Sequence, residues 1–399
     1  MHARFDAGPP ETLSRELVPP ELLDALNDTF LRSHRLIGEY IARLALQVFL
    51  ELDLAGCCDE GATLHEVLAA RGLNVETAQV PLKWMFDTFE ERGWMQRRAD
   101  PSGVARYRLT ATVERPDPDE ILAQQKATDP ACLPAFSIAA LAAKHYPSVL
   151  RGERSGEDVL FAPENLNSWI EYFSNANPLY AINNTVGAIG AIAALRAMPK
   201  GGGGILELGG GLGSAAEALL GRARDEGRRA DIAAYTLSEV VPVFLRRART
   251  RLNERFAGWP LAFQWLDIDK AFPHPIAGSD RFALVYGVNV LHVAHDLSAT
   301  LERIRQVLQP GGALVVSECV RPFSRKPMYV EFVFNLIKSF RAPKLVAPWR
   351  PNGGFLTPEQ WTAALSANGF ADVQIYPDLF AIRRVHPSFF VACLTARIR

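Results

Sequence analysis

The chain has 399 residues, of which 48% are hydrophobic, and its 43 Lys plus Arg nearly balance 44 Asp plus Glu. A chain of this length holds two or three domains and buries roughly 75% of the surface its unfolded form exposes. The near-neutral balance offers no field for phosphates or anionic lipid, which argues against nucleic acid and membrane as partners and for a small organic acceptor.

Residues 1–18, polar and flanked by proline, read as a flexible arm without an apolar signal core. Cys57, Cys58, Cys132, Cys319 and Cys393 show neither C-x-x-C spacing nor a disulfide framework, so a reduced, cytoplasmic protein is expected. The longest apolar stretches are broken by charge or glycine before the roughly 20 residues a membrane span requires. From 19 to 112 the pattern is helical: LHEVLAARGL and VETAQVPLKWMFDTFEERGW are amphipathic, and QRRADPSGVARYRLT sets a turn at Asp100 to Gly103 between two short strands. That is a winged-helix outline, but its second helix carries Asp87, Glu90 and Glu91 and does not suit DNA. Residues 113–200 lack strand pattern and read as a helical linker or cap.

From 201 to 399, seven strand-like runs recur: GGILELG, IAAYTLS, LAFQWLD, FALVYGVNVL, GALVVSEC, ADVQIYPD and FFVACLTAR. Their alternation with helices predicts an α/β, Rossmann-like parallel sheet whose ligand lies at the C-terminal strand ends, and the last two runs are close enough to pair antiparallel. The sharpest signal is ILELGGGLGS, where an apolar strand turns through Gly209, Gly211 and Gly213 into AAEALLGRA. Glycine is needed where a nucleoside-bearing ligand touches bare backbone and where the turn uses positive φ. The spacing is Glu-x-Gly-x-Gly-x-Gly; the third glycine of a dinucleotide fingerprint is replaced by Ser214.

This motif resembles the first motif of class I S-adenosylmethionine-dependent methyltransferases, which implies a seven-stranded sheet and S-adenosylmethionine as cofactor. By that resemblance Glu207 faces the methionine amino group, Glu239 accepts the ribose hydroxyls, Asp267 accepts from the adenine amine and Ile268 covers the ring. Glu239 also reads as an acid at a helix N-terminus and Asp267 as an Asx turn. Asn289, at a strand end, completes the set on that side. The front domain looks like the dimerisation domain of small-molecule O-methyltransferases, implying a homodimer.

His292, just past the strand FALVYGVNVL, stands where a general base would meet the acceptor, and Glu318 ends the adjacent strand where it can orient the imidazole. His295 is a backup. The segments NVLHVAHDLSATL, YPSVLRGERSGEDVLF and WIEYFSNANPLYAINNTV resemble C-methyltransferase domains of polyketide synthases. The catalytic histidine and glutamate of those domains map onto His292 and Glu318, and Tyr180 and Asn184 would approach the methionine end of the cofactor. Residues 321–356 form an insertion with apolar positions Met328, Phe332, Leu336 and Phe340, expected as a lid or pocket wall; Phe332, Trp349 and Phe355 are candidate acceptor contacts. The expectation is a methyltransferase acting on a natural-product-like small molecule, free or carrier-tethered, with carbon favoured over a phenol or hydroxyl oxygen. The rival is a cofactor-binding regulator without catalysis.

Overall fold

The computed structural model describes residues 17–110, 117–198 and 203–398, so most of the expected arm lies outside the described residues. These residues divide into two compact units: Asn27–Tyr172 with Arg325–Arg341, and residues 17–26, 173–324 and 342–398. The division departs from the sequence boundaries at 112 and 200. Amphipathic spacing reveals that a face is buried, not which partner buries it.

In the first unit, α1 (Asp28–Glu51) starts at Asn27, whose side chain accepts the Phe30 N–H at 2.9 Å, and buries Ile37, Ile41, Leu44 and Val48 along one stripe. α2 (Leu64–Ala70) opens with a capping box between Thr63 and Glu66, a device worth about 1 kcal/mol. α3 (Val75–Glu91) leads through Gly93 into the antiparallel hairpin of β1 (Met95–Ala99) and β2 (Ala105–Leu109), turned where Asp100 accepts the N–H groups of Ser102 and Val104. Then follow α4 (Pro118–Thr128), α5 (Leu133–Leu150), α6 (Gly156–Leu160) and α7 (Leu166–Tyr172). The inserted segment forms two short helices, α12 (Glu331–Phe334) and α13 (Lys338–Arg341). It packs into this unit: the Trp84 indole N–H donates to the Met328 carbonyl at 3.0 Å, and the Tyr146 hydroxyl donates to the Phe332 carbonyl while its ring stacks on Phe332 at 4.4 Å.

The second unit is built on one sheet of order β5-β4-β3-β6-β7-β9-β8. Its strands are β3 (Gly203–Leu208), β4 (Ile232–Glu239), β5 (Leu261–Trp265), β6 (Phe282–Val288), β7 (Leu308–Cys319), β8 (Phe370–Tyr376) and β9 (Val391–Ile398). The first five run parallel and β8 pairs antiparallel with β9, as the sequence predicts; β9 also pairs antiparallel with β7. β6 is buried along its whole length, the signature of a central strand covered on both faces. Around the sheet lie α8 (Pro178–Arg196), α9 (Ser214–Asp225), α10 (Pro242–Arg255), α11 (Leu297–Val307), α14 (Pro358–Ala367) and α15 (Leu379–Val385).

α8 corrects one expectation, because its 19 residues are long and apolar enough by length and composition to cross a membrane. It is mostly buried and serves as a core helix of this unit. Its close approach to the sheet depends on missing side chains: a Cβ on Gly187 would lie 2.9 Å from the Tyr286 hydroxyl, and one on Gly190 would lie 2.4 Å from the Cys393 Sγ.

Candidate active site

β3 ends in the glycine turn, and Gly209, Gly211 and Gly213 all take positive φ, at 61°, 54° and 83°. A Cβ on Gly209 would strike Val290 at 2.4 Å, whereas one on Gly211 would meet nothing within 4 Å. Gly211 therefore presents bare backbone to open space, the cradle a ligand needs. Glu239, buried at the end of β4, accepts the Gly211 N–H at 2.9 Å and the Val241 N–H at 2.8 Å. The second bond serves the start of α10, so its helix-end reading and its ligand reading coexist: each carboxylate oxygen keeps a lone pair for a hydroxyl. Burial raises its pKa above the usual carboxylate range.

Glu207 is 1% exposed and accepts from the Tyr235 hydroxyl at 2.8 Å, while its Oε1 has no hydrogen-bond partner. Burial, aided by the nearby Glu239 charge and opposed by the Tyr235 bond, lifts its pKa to about 8. The strap before α8 crosses the start of α9: Ser214 donates to the Phe173 carbonyl at 2.6 Å, and Asn175 donates to the Ser214 carbonyl at 2.8 Å. Asn184 donates to Asn175 at 2.7 Å and leaves its own buried carbonyl oxygen unpaired. Tyr180 packs edge-on against Phe173, and burial together with Glu207 raises its hydroxyl pKa. Unpaired buried acceptors beside a cradle of bare backbone fit a ligand with a cationic amino group.

β5 stops at Trp265, two residues short of Asp267. Asp267 forms the Asx turn, accepting the Asp269 N–H at 3.0 Å, and pairs with Lys270 at 3.3 Å. The Ile268 carbonyl accepts from Thr300 and Arg303 at 3.1 and 3.0 Å. Asn289, at φ 51°, donates its N–H to the Ser317 carbonyl and accepts the Cys319 N–H, which fastens β6 to β7 beyond their ladder.

That fastening brings His292 and Glu318 together. The two are 5% and 0% exposed, and the imidazole Nδ1 lies 2.6 Å from Glu318 Oε2. Glu318 Oε1 accepts the N–H groups of Leu291 at 2.8 Å and Val290 at 3.2 Å. A carboxylate used as acceptor by the backbone accepts from the ring as well, so Nδ1 carries the proton and Nε2 is the basic nitrogen. The Phe355 ring lies 4.6 Å from the imidazole, tilted 42°. Trp349 is buried in the same unit, whereas Phe332 belongs to the other one, enclosed by Trp84 and Tyr146. His295 is tied by its N–H to Asp269 at 2.8 Å. Sequence reasoning missed Arg350, a fully buried guanidinium that donates to the carbonyls of His292 at 2.7 Å and Ala294 at 2.8 Å. Nothing in APWRPN marks this arginine as buried.

Residues 206–314 match the family described as methyltransferase domain. Over 324 residues, 77% of this chain, the sequence is 27% identical to a highly reducing polyketide synthase of Gibberella zeae, of which it spans only 11%. The fold is similar to that of the CurJ carbon methyltransferase, with a TM-score of 0.72 at 21% identity over 92% of each chain. It is also similar to the trans-methyltransferase CalH solved with SAH, with a TM-score of 0.60 at 20% identity and the same coverage. Residues 206–314 of the second unit thus match a methyltransferase domain, and the fold is that of the solved carbon methyltransferases. The chain spans about a tenth of the length of that synthase.

Proposed function

We propose that this protein methylates a carbon of a small natural-product acceptor, with His292 as general base and Glu318 as its positioning carboxylate. The observation that carries this reading is the 2.6 Å contact between His292 Nδ1 and Glu318, which holds the ring in the tautomer with a basic Nε2. Bound S-adenosylmethionine supplies a methyl on a sulfonium, so its departing group is a neutral thioether and needs no acid. His292 Nε2 takes the proton from the acceptor carbon as the new carbon–carbon bond forms, and the Glu318 carboxylate stabilises the resulting imidazolium. A carbon flanked by two carbonyls is acidic enough for an imidazole, and enclosure by Phe355 keeps water from the base. Glu239 would hold the ribose, Asp267 and Ile268 the adenine, and Glu207, Asn184, Tyr180 and Asn289 the methionine end. Similarity to a polyketide synthase and to a carbon methyltransferase supports carbon over oxygen and a carrier-borne acceptor over a free one.

The test is transfer of a ¹³C-methyl group to an acetoacetyl thioester, with the product read by NMR. A methyl bonded to the carbon between the carbonyls supports the proposal. A methyl on oxygen points instead to the hydroxyl-directed alternative, and bound cofactor with no transfer to any acceptor to a regulator.

A further inference from the structure

The turn that carries His292 is held from a second side. Lys344 donates its backbone N–H to the His295 carbonyl at 2.7 Å, and its ammonium pairs with Asp296 at 2.7 Å. Val346 and Arg350 exchange backbone bonds at 2.9 and 2.6 Å, which close a small loop and set the start of the Arg350 side chain. From there the guanidinium reaches the carbonyls of His292 and Ala294, one on each side of Val293. The group is 0% exposed, its Nε has no partner, and among the described residues no carboxylate pairs with it. Burial lowers its pKa to about 10, against the pull of Asp269, Asp296 and Glu318.

A buried cation bonded only to carbonyls gives poor return as a stabilising device, because its desolvation is offset by neutral acceptors alone. Planar, forked donors are what two carbonyls of one turn require, and a lysine ammonium cannot reproduce that geometry. We infer that Arg350 is a positioning residue for the methyl-transfer base: by fixing the carbonyls of His292 and Ala294 it holds the backbone that aims the imidazole at Glu318. The inference rests on the proposed role of His292. A displacement of about 1 Å in such a group costs on the order of 10²-fold in rate.

The test uses the full chain with ¹⁵N-labelled histidine, S-adenosylhomocysteine as binding probe and the acetoacetyl thioester as acceptor. His292→Gln assigns the His292 ring signals. In the parent, those signals should show a single Nδ1–H tautomer with a slowly exchanging proton. In Arg350→Met that proton should exchange rapidly and both tautomers should appear, while the dissociation constant of the probe changes less than threefold. Turnover should fall about a hundredfold with KM little changed. Guanidinium ion added to Arg350→Ala should recover at least tenfold of the lost rate, whereas Arg350→Lys should stay impaired. Unaltered ring signals in a folded Arg350→Met overturn the inference, as does a loss of probe affinity in step with turnover. If no acceptor is methylated, the ring signals still decide the positioning role, and only the reading of the reaction fails.

Discussion

At the scale of single residues, the proposed chemistry depends on which ring nitrogen of His292 carries the proton. Glu318→Gln tests this directly. The amide oxygen can still take the backbone N–H groups of Val290 and Leu291, but its NH₂ then faces the ring and forces Nδ1 to accept. The proton moves to Nε2 and the base is lost, so turnover should drop at least a hundredfold with cofactor affinity kept, measured by label transfer and calorimetry. His292→Ala should lower turnover by roughly 10² to 10⁴ with the same affinity. Glu207 gives a pH signature. Its folded pKa of about 8 lies above the ordinary 4.5, so between those values the native state keeps a proton that the unfolded chain has shed. The stability contributed by this group is complete below pH 4.5 and is lost as pH rises through 8. Glu207→Gln should therefore flatten the decline in Tm between pH 5 and 9, as followed by calorimetry.

At the scale of elements, the glycine turn separates folding from binding. Gly209→Ala drives a methyl into Val290 at 2.4 Å and should lower Tm by several degrees. Gly211→Ala meets no protein atom, so beyond the strain of its positive φ it should leave the fold intact and weaken S-adenosylhomocysteine binding at least tenfold in calorimetry. Both glycines are equally legible in ILELGGGLGS, and their different duties are not, because the duty lies in what stands opposite. The same holds for the strands. Seven apolar runs announce the sheet, and the positions of His292 and Glu318 at neighbouring strand ends follow from the parallel order. Asp267 was placed at a strand end, yet β5 stops at Trp265 and the aspartate closes an Asx turn, a local hydrogen bond that the apolar pattern does not encode. Arg350 escaped notice because surface and buried arginines look alike in a loop sequence.

At the scale of the whole molecule, the chain passes between its two units four times along the described residues. Residues 321–356 read as one insertion on the catalytic fold, yet 325–341 belong to the first unit, where Phe332 lies against Trp84 and Tyr146. Burying each such aromatic contributes about 1.5 to 3 kcal/mol. Residues 173–399 expressed alone should consequently be aggregation-prone, and replacing 325–341 in that fragment by a short polar linker should improve its solubility in centrifugation assays. This interleaving also sets a timetable for synthesis. Tyr172 leaves the ribosome 153 residues before Arg325, a delay on the order of ten to thirty seconds at ordinary translation rates. Throughout that interval the indole of Trp84 and the ring of Tyr146 wait without the segment that covers them, so the nascent first unit stays unfinished until most of the seven-stranded sheet has emerged.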